Sequence, residues 1–319
     1  MAIPVVIDTD PGIDDALALM LAARWPRCRL AAVTAVYGNT TIDFACRNAR
    51  LVLARAGRPD VMVLPGADRP LRRALITAKE THGPEGLGDH AVGAPEPVAA
   101  GSSALRDALR AAGEPVTLIT LGPLTNLALA LALDPDLVRR RVAKHVMMGG
   151  NLQARGTMGP HAEFNVWCDP EAADAVFRAG LGEGGGTEMV GLDVTRQLLV
   201  PATTVAKLAT HADPDAQWLG RLLGFYVRFH EEYERLPAAV INDPLAVALA
   251  LEPAWGEASP MPLAVDLSEG ERRGVTSAGD REAGDPSVRV YRAFDRERVH
   301  ALLLEHLFGR WLTPADFAA

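Results

Sequence analysis

The segment IDTDPGIDD places four carboxylates within eight residues near the start of the chain: Asp8, Asp10, Asp14 and Asp15. If these side chains were left unpaired in a partly buried position they would repel one another strongly, and a bound cation is the common remedy. Hard oxygen ligands favour Ca²⁺ or Mg²⁺, and a shell of about six to eight oxygens suits Ca²⁺. The segment therefore predicts a metal site.

Other interpretations of these residues exist. Asp14 and Asp15 fall where a helix is expected to begin, and acids in a first helical turn complement the helix dipole without any metal. An Asp-x-Asp motif after an N-terminal strand is also typical of phosphatases with an aspartate nucleophile, but a paired Asp on the next helix argues against that class. Cys168 is a further candidate nucleophile, although no base is adjacent to it in the sequence. A cluster that starts at the end of a buried strand favours the metal site.

Strands and helices alternate along the chain. The run 3–7 is apolar and β-branched, as expected of a central parallel strand, and Pro11-Gly12 separates it from a helix that begins at about Asp14. Further strands are predicted at 30–36, 61–64, 116–120, 144–148, 187–192, near 261–265 and at 288–293. Further helices are predicted at 41–57, 102–112, 124–133, 170–179, through most of 201–235, from 242 onward and at 296–308. This alternation predicts a single α/β domain over residues 1–319, with an open, mostly parallel, doubly wound (Rossmann-like) sheet and helices on both faces.

Polar residues follow the predicted strands. Asp8 and Asp10 come after the first strand, Asn39 after the second and Asn151 after a later one. Ligands in open α/β sheets bind outside the carboxyl ends of the strands, so these residues are expected to converge on one pocket. The polar, Gly-rich stretch 79–93 is long for a compact domain, which favours a functional loop, and we expect it to close over a ligand as a lid.

The composition excludes several classes. A net charge of −8 and a pI near 5.5, without basic runs, argue against nucleic-acid binding. No apolar run reaches the roughly 18–20 residues of a membrane span, and the N-terminus lacks the basic region and cleavage site of a signal peptide. The three cysteines lack the spacing of a zinc site or a disulfide framework, so we expect a cytoplasmic protein with reduced thiols and no membrane partner.

Nine segments in register resemble the inosine-uridine-preferring nucleoside hydrolase family. They are IDTDPGIDDALALMLA (7–22), VYGN (36–39), THGPEGLG (81–88), LGPLTNLALA (121–130), MMGGN (147–151), AEFN (162–165), DPEAA (169–173), MVGLDVT (189–195) and NDPLAVA (242–248). The resemblance spans about residues 3–250 and is weaker in the tail. It implies a ribonucleoside N-glycosidase that releases free base and ribose with water and Ca²⁺, acts in nucleoside salvage, and assembles as a homotetramer or homodimer.

The resemblance also implies roles for individual residues. It assigns Ca²⁺ to the side chains of Asp10, Asp15 and Asp243 and to the main-chain carbonyl of Leu121, with Asp10 also the general base on a water. It assigns the ribose hydroxyls to Asp14, Asn39, Glu163 and Asn165. Carboxylates beside an oxocarbenium-like sugar stabilise its developing charge, and loss of the 2′-hydroxyl would leave buried polar groups unpaired. Asp8 is expected to support the end of its strand.

The sequence departs from the family at the 5′ end of the ribose. The Asn that contacts the 5′-hydroxyl in other members, six residues before the Glu of AEFN, is Thr157 here. Threonine still offers a hydroxyl, but with a shorter reach. His161 lies nearby and is either a surface residue or a contact for a modified 5′ group. This departure favours an unusual or modified nucleoside as an alternative substrate.

A second departure concerns the leaving group. Asn242 stands where many members have His and purine-specific members have Trp, and an amide is no acid. His230, then His82, are the preferred replacements, with Tyr233 a third candidate. Tyr226 matches a family Tyr on the helix that flanks the base pocket. Without any acid, only a base that departs easily as an anion would be cleaved, and a third alternative is a Ca²⁺-dependent nucleoside-binding protein with little catalysis.

Overall fold

The computed structural model describes residues 2–90, 92–182, 186–279 and 288–317. Its strands are β1 Ile3–Thr9, β2 Cys28–Ala35, β3 Val63–Pro65, β4 Val116–Thr120, β5 Val142–Met148, β6 Glu188–Val190, β7 Leu199–Pro201, β8 Ala238–Val240, β9 Gly256–Met261, β10 Leu263–Val265, β11 Thr276–Ala278 and β12 Val288–Phe294. Eight of them form one sheet in the order β3-β2-β1-β4-β5-β6-β12-β9, in which β9 at one edge is antiparallel to β12 and the other pairs are parallel. The predicted open, mostly parallel α/β sheet is confirmed.

The helices are α1 Ile13–Arg24, α2 Ile42–Arg55, α3 Lys79–His82, α4 Ala104–Ala112, α5 Thr125–Leu133, α6 Pro135–Arg141, α7 Phe164–Cys168, α8 Pro170–Ala179, α9 Leu192–Thr195, α10 Ala202–Ala209, α11 Pro214–Glu234, α12 Asp243–Leu251 and α13 Arg296–Leu303. A π-helical turn, Leu304–Phe308, continues α13. In the described ranges these helices are too short or too polar to cross a lipid bilayer.

The central strands are apolar because both faces of the sheet are covered. Val5, Val6 and Ile7 of β1 have no exposed surface, as expected of a parallel strand with helices on each side. The helix α1 packs against both α2 and α12. Ten consecutive residues of α1, from Ile13 to Ala22, are buried, two aspartates among them. Burial of this helix on all sides explains why its sequence has almost no polar face.

The order of the strands creates the crevice for the site. The chain moves outward from β1 through β2 to β3, then returns to β4 on the other side of β1 and continues through β5 to β6. The strand order therefore reverses between β1 and β4, where Val5, Ile7 and their neighbours pair with residues 117–120. A ligand crevice is expected at the carboxyl ends of strands at such a switch point.

Two local features add detail to the sequence predictions. The stretch 201–235 is mostly helical, as predicted, and is divided into α10 and α11 because Asp213 caps a new helix and Pro214 follows at its first position. The stretch 79–93, predicted to be an irregular loop, begins with the short helix α3.

Candidate active site

The site is built where β1 and β4 end and where α1 and α12 begin. Asp10 follows β1, Leu121 follows β4, Asp14 and Asp15 lie in the first turn of α1, and Asp243 is the first residue of α12. All five are buried. The sheet topology therefore brings four carboxylates and one carbonyl-bearing loop to the same end of two neighbouring strands.

Three of these carboxylates meet closely. Asp14, Asp15 and Asp243 each offer an oxygen within 4.8 Å of the others, an arrangement that could hold a metal ion. Asp10 is not one of this trio, although the family resemblance assigns it to the metal. Its Oδ1 is buried and has no hydrogen-bond partner among the described residues, whereas its Oδ2 accepts the backbone N–H of Asn39 at 2.7 Å. A buried, unpartnered carboxylate oxygen beside three others is an oxygen-only donor set that fits a hard divalent cation.

The raised pKa values of the clustered carboxyl groups also favour a bound cation. Burial, and then the nearby charge of Asp15, raise the pKa of Asp10 well above its usual range. Burial and the charges of Asp14, Asp15 and Asp10 do the same to the pKa of Asp243. The pKa of Asp15 rises from 3.8 to about 6, through burial and then the charge of Asp14. Without a cation, burial and mutual repulsion favour the protonated forms of these carboxyl groups. A bound cation would instead favour their charged forms.

Hydrogen bonds fix the orientation of Asp15. Its Oδ1 accepts from the hydroxyl of Thr9, and its Oδ2 accepts from the N–H of Gly12 and from Nδ2 of Asn39, both at 2.9 Å. Asn39 therefore contacts two carboxylates at once, Asp15 through its side chain and Asp10 through its backbone. This residue, predicted to contact ribose, also organises the acidic cluster.

Asp8 is separated from the other three aspartates of its segment. It accepts from the hydroxyl of Thr34 and from Nδ2 of Asn126, at 2.7 Å for the latter, and burial raises its pKa to about 7. Successive side chains of a strand point to opposite faces, and the position after Ile7 directs Asp8 toward β2 and α5. Its contacts agree with the predicted supporting role at the end of β1.

The predicted ribose-binding residues Glu163 and Asn165 lie across the cavity from α1. The Glu163 carboxylate caps α7, accepting the N–H groups of Gly150 at 2.9 Å, Asn165 at 2.8 Å and Val166 at 3.1 Å, and burial raises its pKa. The Asn165 amide donates to the carbonyl of Leu121 at 2.7 Å. Three backbone donors therefore hold a buried carboxylate at one fixed place beside the cavity.

The 5′ region differs from the interior of the site. Thr157 lines the cavity but is exposed, and its hydroxyl accepts the N–H of Phe164 at 2.9 Å. His161 is exposed and does not line the cavity. Arg155 lines the cavity on the same loop as Thr157.

One face of α11 forms the opposite wall, with Tyr226, His230 and Glu234 one helical turn apart. Burial, and then the nearby charge of Asp14, raise the pKa of the Tyr226 hydroxyl. Nδ1–H of His230 donates to the Tyr226 carbonyl at 2.7 Å, which leaves Nε2 as the free ring nitrogen. Burial lowers the pKa of His230, an effect that the nearby Glu234 charge opposes.

His82, at the end of α3, completes this wall. Its Nδ1 accepts the N–H of Ile13 at 3.1 Å, so the proton of the neutral ring lies on Nε2. Its ring lies 5.3 Å from that of Tyr226, and burial lowers its pKa to about 4. His82 is therefore a neutral hydrogen-bond donor near pH 7, not an imidazolium.

Asn242 contacts the acidic cluster directly. Its backbone N–H and its Nδ2 both donate to Oδ2 of Asp14, at 3.2 Å and 2.9 Å. Its Oδ1 is buried without a partner among the described residues. One backbone and one side-chain donor of Asn242 are thus bound to a carboxylate, and its amide oxygen is an unpartnered acceptor.

These walls enclose a cavity of about 400 Å³, within the range of small-molecule sites. Tyr233, 57% exposed, lies at the rim, and its ring is 4.9 Å from that of Phe229. The predicted residues that line this cavity are Asp14, Asn39, His82, Leu121, Thr157, Glu163, Asn165, Tyr226, His230, Tyr233, Asn242 and Asp243. The cavity therefore combines three features. A carboxylate cluster could bind a cation, fixed polar groups could bind a polyol, and aromatic side chains could contact a flat ring.

Comparison with known proteins decides the family. The family described as inosine-uridine preferring nucleoside hydrolase matches residues 5–301. The chain belongs to this family. It is 38% identical over 259 residues to a pyrimidine-specific ribonucleoside hydrolase of Salmonella enteritidis PT4, which covers 79% of this chain and 81% of that protein.

Solved structures of nucleoside hydrolases are similar over nearly the whole chain. A plant nucleoside hydrolase has a TM-score of 0.86 at 31% identity and covers 97% of this chain and 99% of its own. A purine-preferring ribonucleoside hydrolase from Gardnerella vaginalis has a TM-score of 0.85 at 28% identity, covering 96% and 98%. This nucleoside hydrolase is thus an enzyme of ribonucleoside cleavage, as predicted from its motifs, and a mere binding protein is not the better interpretation. Because these relatives differ in base preference, they do not decide the base.

In this nucleoside hydrolase Cys168 is no nucleophile. Its side chain is buried, and burial together with the charges of Asp10 and Glu163 raises the pKa of the thiol well above its usual range. A nucleophilic cysteine requires a stabilised thiolate. Cys28 and Cys46 are likewise buried free thiols.

The stretch predicted to be a lid is attached to the body of the enzyme at its described residues. The Glu85 carboxylate pairs with Arg47 at 2.8 Å, its carbonyl accepts Nδ2 of Asn48 at 2.8 Å, and Asp89 pairs with Arg228. The first part of the stretch 79–93, including Glu80 and His82, lines the cavity. Closure of the stretch over a ligand stays a prediction.

Sequence reasoning missed an ion pair in this cavity. Arg196, directly after α9, binds Glu234 through two parallel hydrogen bonds of 2.8 Å and 3.0 Å, and both residues line the cavity. The signal was present but weak: Arg196 directly follows the recognised motif MVGLDVT. Its partner lies 38 residues further on, so only the fold reveals the pair.

At Gly122, the loop after β4 lies in close contact with the Asp10 side chain. A Cβ added at Gly122 would lie 2.6 Å from Oδ1 of Asp10, so Gly122→Ala should displace the carboxylate and lower kcat/KM for ribonucleosides by about 100-fold or more. Gly224→Ala on α11 is the matched control, because its nearest neighbour would be 3.9 Å away. Steady-state kinetics check both, and an alanine at position 122 that left kcat/KM intact would refute the close approach.

Proposed function

We propose that this nucleoside hydrolase uses Ca²⁺ to hydrolyse the N-glycosidic bond of ribonucleosides to free base and ribose. The observation that carries the proposal is the buried cluster of Asp14, Asp15 and Asp243 with the unpartnered Oδ1 of Asp10 beside it. All the donors are oxygens and no described cation neutralises them, which favours a hard divalent ion. The wider family resemblance favours Ca²⁺ among these ions.

We assign the side chains of Asp10, Asp15 and Asp243 and the main-chain carbonyl of Leu121 to the ion, as the family resemblance implies. Asp14 belongs to the closest trio, but its Oδ2 accepts from the backbone N–H and from Nδ2 of Asn242. We assign Asp14 to the ribose hydroxyls, again from the resemblance. When bound, the ion orients a water molecule and raises its acidity.

The chain's own residues perform the other steps. Asp10 accepts a proton from the water as the water oxygen attacks C1′ of the ribose. The C1′–N bond breaks, and its electron pair moves to the base nitrogen. The carboxylates of Asp14 and Glu163 stabilise the positive charge that develops on the sugar. The proton taken from water is finally returned to the base, so that nucleoside and water give ribose and neutral base.

Recognition of ribose rests on groups that are already fixed. Asn39, Asn165 and Glu163 are held by the hydrogen bonds described above, which lowers the entropy lost on binding. We assign these residues and Asp14 to the 2′- and 3′-hydroxyls, and Thr157 to the 5′ end. The Thr157 hydroxyl already accepts a backbone N–H, so its proton and one lone pair are left to contact a substrate. This weak 5′ contact is the observation that favours a 5′-modified nucleoside as a second candidate.

The experiment that tests the proposal is a substrate panel. Purified enzyme with CaCl₂ is incubated with uridine, cytidine, inosine, adenosine, their 2′-deoxy forms and 5′-modified nucleosides, and released reducing sugar is measured. We expect ribose release from at least one ribonucleoside and a loss of about 10⁴-fold in kcat/KM for its 2′-deoxy form, because buried polar groups would be unpaired. Binding of ligands without any sugar release would contradict the proposal.

For the leaving group we propose His230 as proton donor, with His82 and Asn242 in contact with the base and Tyr226 and Tyr233 in the base pocket. Nδ1–H of His230 is bonded to the Tyr226 carbonyl, so the ring donates to the base from Nε2 in its protonated, imidazolium form. His230→Ala should therefore slow the hydrolysis of uridine or inosine, whose bases are poor leaving groups, by about 100-fold. Hydrolysis of p-nitrophenyl riboside should slow by much less. Kinetics on both substrates check this, and an equal loss on both would count against His230 as the acid.

We further propose that the chain acts as one domain, in the cytoplasm, as a homotetramer or homodimer that serves nucleoside salvage. One sheet gathers strands from residue 3 to residue 294, which supports a single domain. Three buried free thiols agree with a reducing compartment. Light scattering of the purified protein would measure the mass of the assembly.

A further inference from the structure

A permanent cation faces the base half of the cavity. Arg196 is fixed by Glu234 through two hydrogen bonds of 2.8 Å and 3.0 Å, with a quarter of the Arg196 side chain and a fifth of the Glu234 side chain exposed. Both charges act on His230, which lies one helical turn before Glu234. The guanidinium therefore lies near His230, on the α11 side of the cavity.

The other polar groups of the base half do not offer a permanent charge. The backbone N–H and the Nδ2 group of Asn242 both donate to Asp14. Nδ1 of His82 accepts a backbone N–H, so that ring is neutral, and the His230 ring is charged only when its Nε2 also carries a proton. Arg155, the other arginine of the cavity lining, lies on the Thr157 loop at the 5′ side.

The pair with Glu234 leaves donors unused on Arg196. A guanidinium has five N–H groups in a fixed fork, and the carboxylate takes one from each terminal nitrogen. Each terminal nitrogen keeps a second N–H, and Nε–H is buried without a partner among the described residues. Fixation by Glu234 means that little side-chain freedom is lost when the remaining donors bind a ligand oxygen.

We propose that Arg196 binds the carbonyl oxygens of the departing base and stabilises the negative charge that reaches them as the C1′–N bond breaks. This inference deepens the proposed function and depends on it. The electron pair of the broken bond delocalises from the base nitrogen onto ring carbonyl oxygens, where a guanidinium stabilises it electrostatically, and the proton that water lost later neutralises the base. The substrates are accordingly ribonucleosides of oxo-bases, such as uridine and inosine, in preference to adenosine, which has no carbonyl.

The test compares leaving groups across variants. Arg196→Gln should lower kcat/KM for uridine and inosine by about 100-fold, the loss typical of one oxyanion donor. The same change should affect adenosine and p-nitrophenyl riboside by less than about fivefold, because the first has no carbonyl and the second departs unaided. Arg58→Gln, which breaks a surface pair with Asp60 outside the cavity, is the matched control and should leave all four rates unchanged.

Because Arg196→Gln leaves the Glu234 carboxylate without its partner, the double variant Arg196→Gln/Glu234→Gln is measured beside the single variant. This variant retains neutral partners of similar size and should show the same selective loss. Retained turnover of p-nitrophenyl riboside reports that each variant is folded. Unchanged rates, or an equal loss on all four substrates in both variants, would overturn the role of Arg196 while leaving the hydrolase intact. A wild-type enzyme that releases no ribose from any substrate would instead overturn the proposed function itself.

Discussion

Asp10→Asn should abolish turnover of every ribonucleoside, with kcat reduced by about 10³-fold or more. General base catalysis alone contributes about 10²- to 10⁴-fold, and an amide cannot accept the proton of the attacking water at neutral pH. The substitution preserves size, which matters because Gly122 and Gly38 leave almost no free space around this side chain. Residual binding of substrate is expected, because the ribose contacts proposed for Glu163 and Asn165 do not involve Asp10.

Asp8→Asn is the matched control for this variant. It makes the same chemical change two residues earlier, at a buried carboxyl whose partners are Thr34 and Asn126 and whose pKa burial has raised to about 7. With a pKa of about 7, Asp8 is only partly ionised near pH 7, and its amide form should retain nearly full activity. Reducing-sugar assays on both variants check the contrast. Full activity of the Asp10→Asn enzyme, or equal losses in the two variants, would remove Asp10 from the role of base.

Removal of the metal should abolish activity and lower the melting temperature by about 5 to 10 °C. A ligand present at about a thousand times its Kd stabilises a protein by about 4 kcal/mol, and in a chain of this size each kcal/mol corresponds to roughly 2 °C. Dialysis against EGTA followed by addition of CaCl₂ or MgCl₂ measures the loss and its recovery. Recovery with Ca²⁺ at lower concentration than with Mg²⁺ is the expected order.

The stability of the metal-free enzyme should also depend on pH with a definite sign. The folded state raises the pKa of Asp15 to about 6, and those of Asp10 and Asp243 lie well above 3.8. Because the folded state binds these protons more tightly than the unfolded chain, the stabilisation is fully present below pH 3.8 and is lost as pH rises through about 6. The EGTA-treated protein should therefore melt at a lower temperature at pH 8 than at pH 6, and CaCl₂ should reduce that difference.

Asp243→Asn is the control variant for the experiment in which EGTA removes the metal. It removes one carboxylate of the closest trio, so it should weaken the recovery by Ca²⁺ and reduce the pH dependence of the metal-free state. If chelation left both the melting temperature and the activity unchanged, the cluster would not be a metal site. If the melting temperature fell while activity persisted, the ion would be structural only.

Much of the fold could be predicted from the sequence because its signals are local. The β-branched run 3–7, the break at Pro11-Gly12 and the apolar helix that follows each depend on residues within a few positions of one another. The alternation of such units leaves few topologies, since parallel crossovers are right-handed and short. The observed strand β4, Val116–Thr120, and helix α8, Pro170–Ala179, have the predicted bounds. The division of 201–235 into α10 and α11 was missed because the capping role of Asp213 was not recognised.

The sequence by itself determined the fold class, the acidic cluster and the family, because motifs and periodicity are carried by neighbouring residues. The tertiary structure alone decided which groups each aspartate contacts. It turns Asp8 toward Asn126, leaves Oδ1 of Asp10 unpartnered, and joins Asp14 to Asn242 across 228 positions of the chain. It also decided the ring-nitrogen partners of His82 and His230 and the pairing of Arg196 with Glu234. These features depend on contacts between distant segments and on burial, which local sequence signals do not contain.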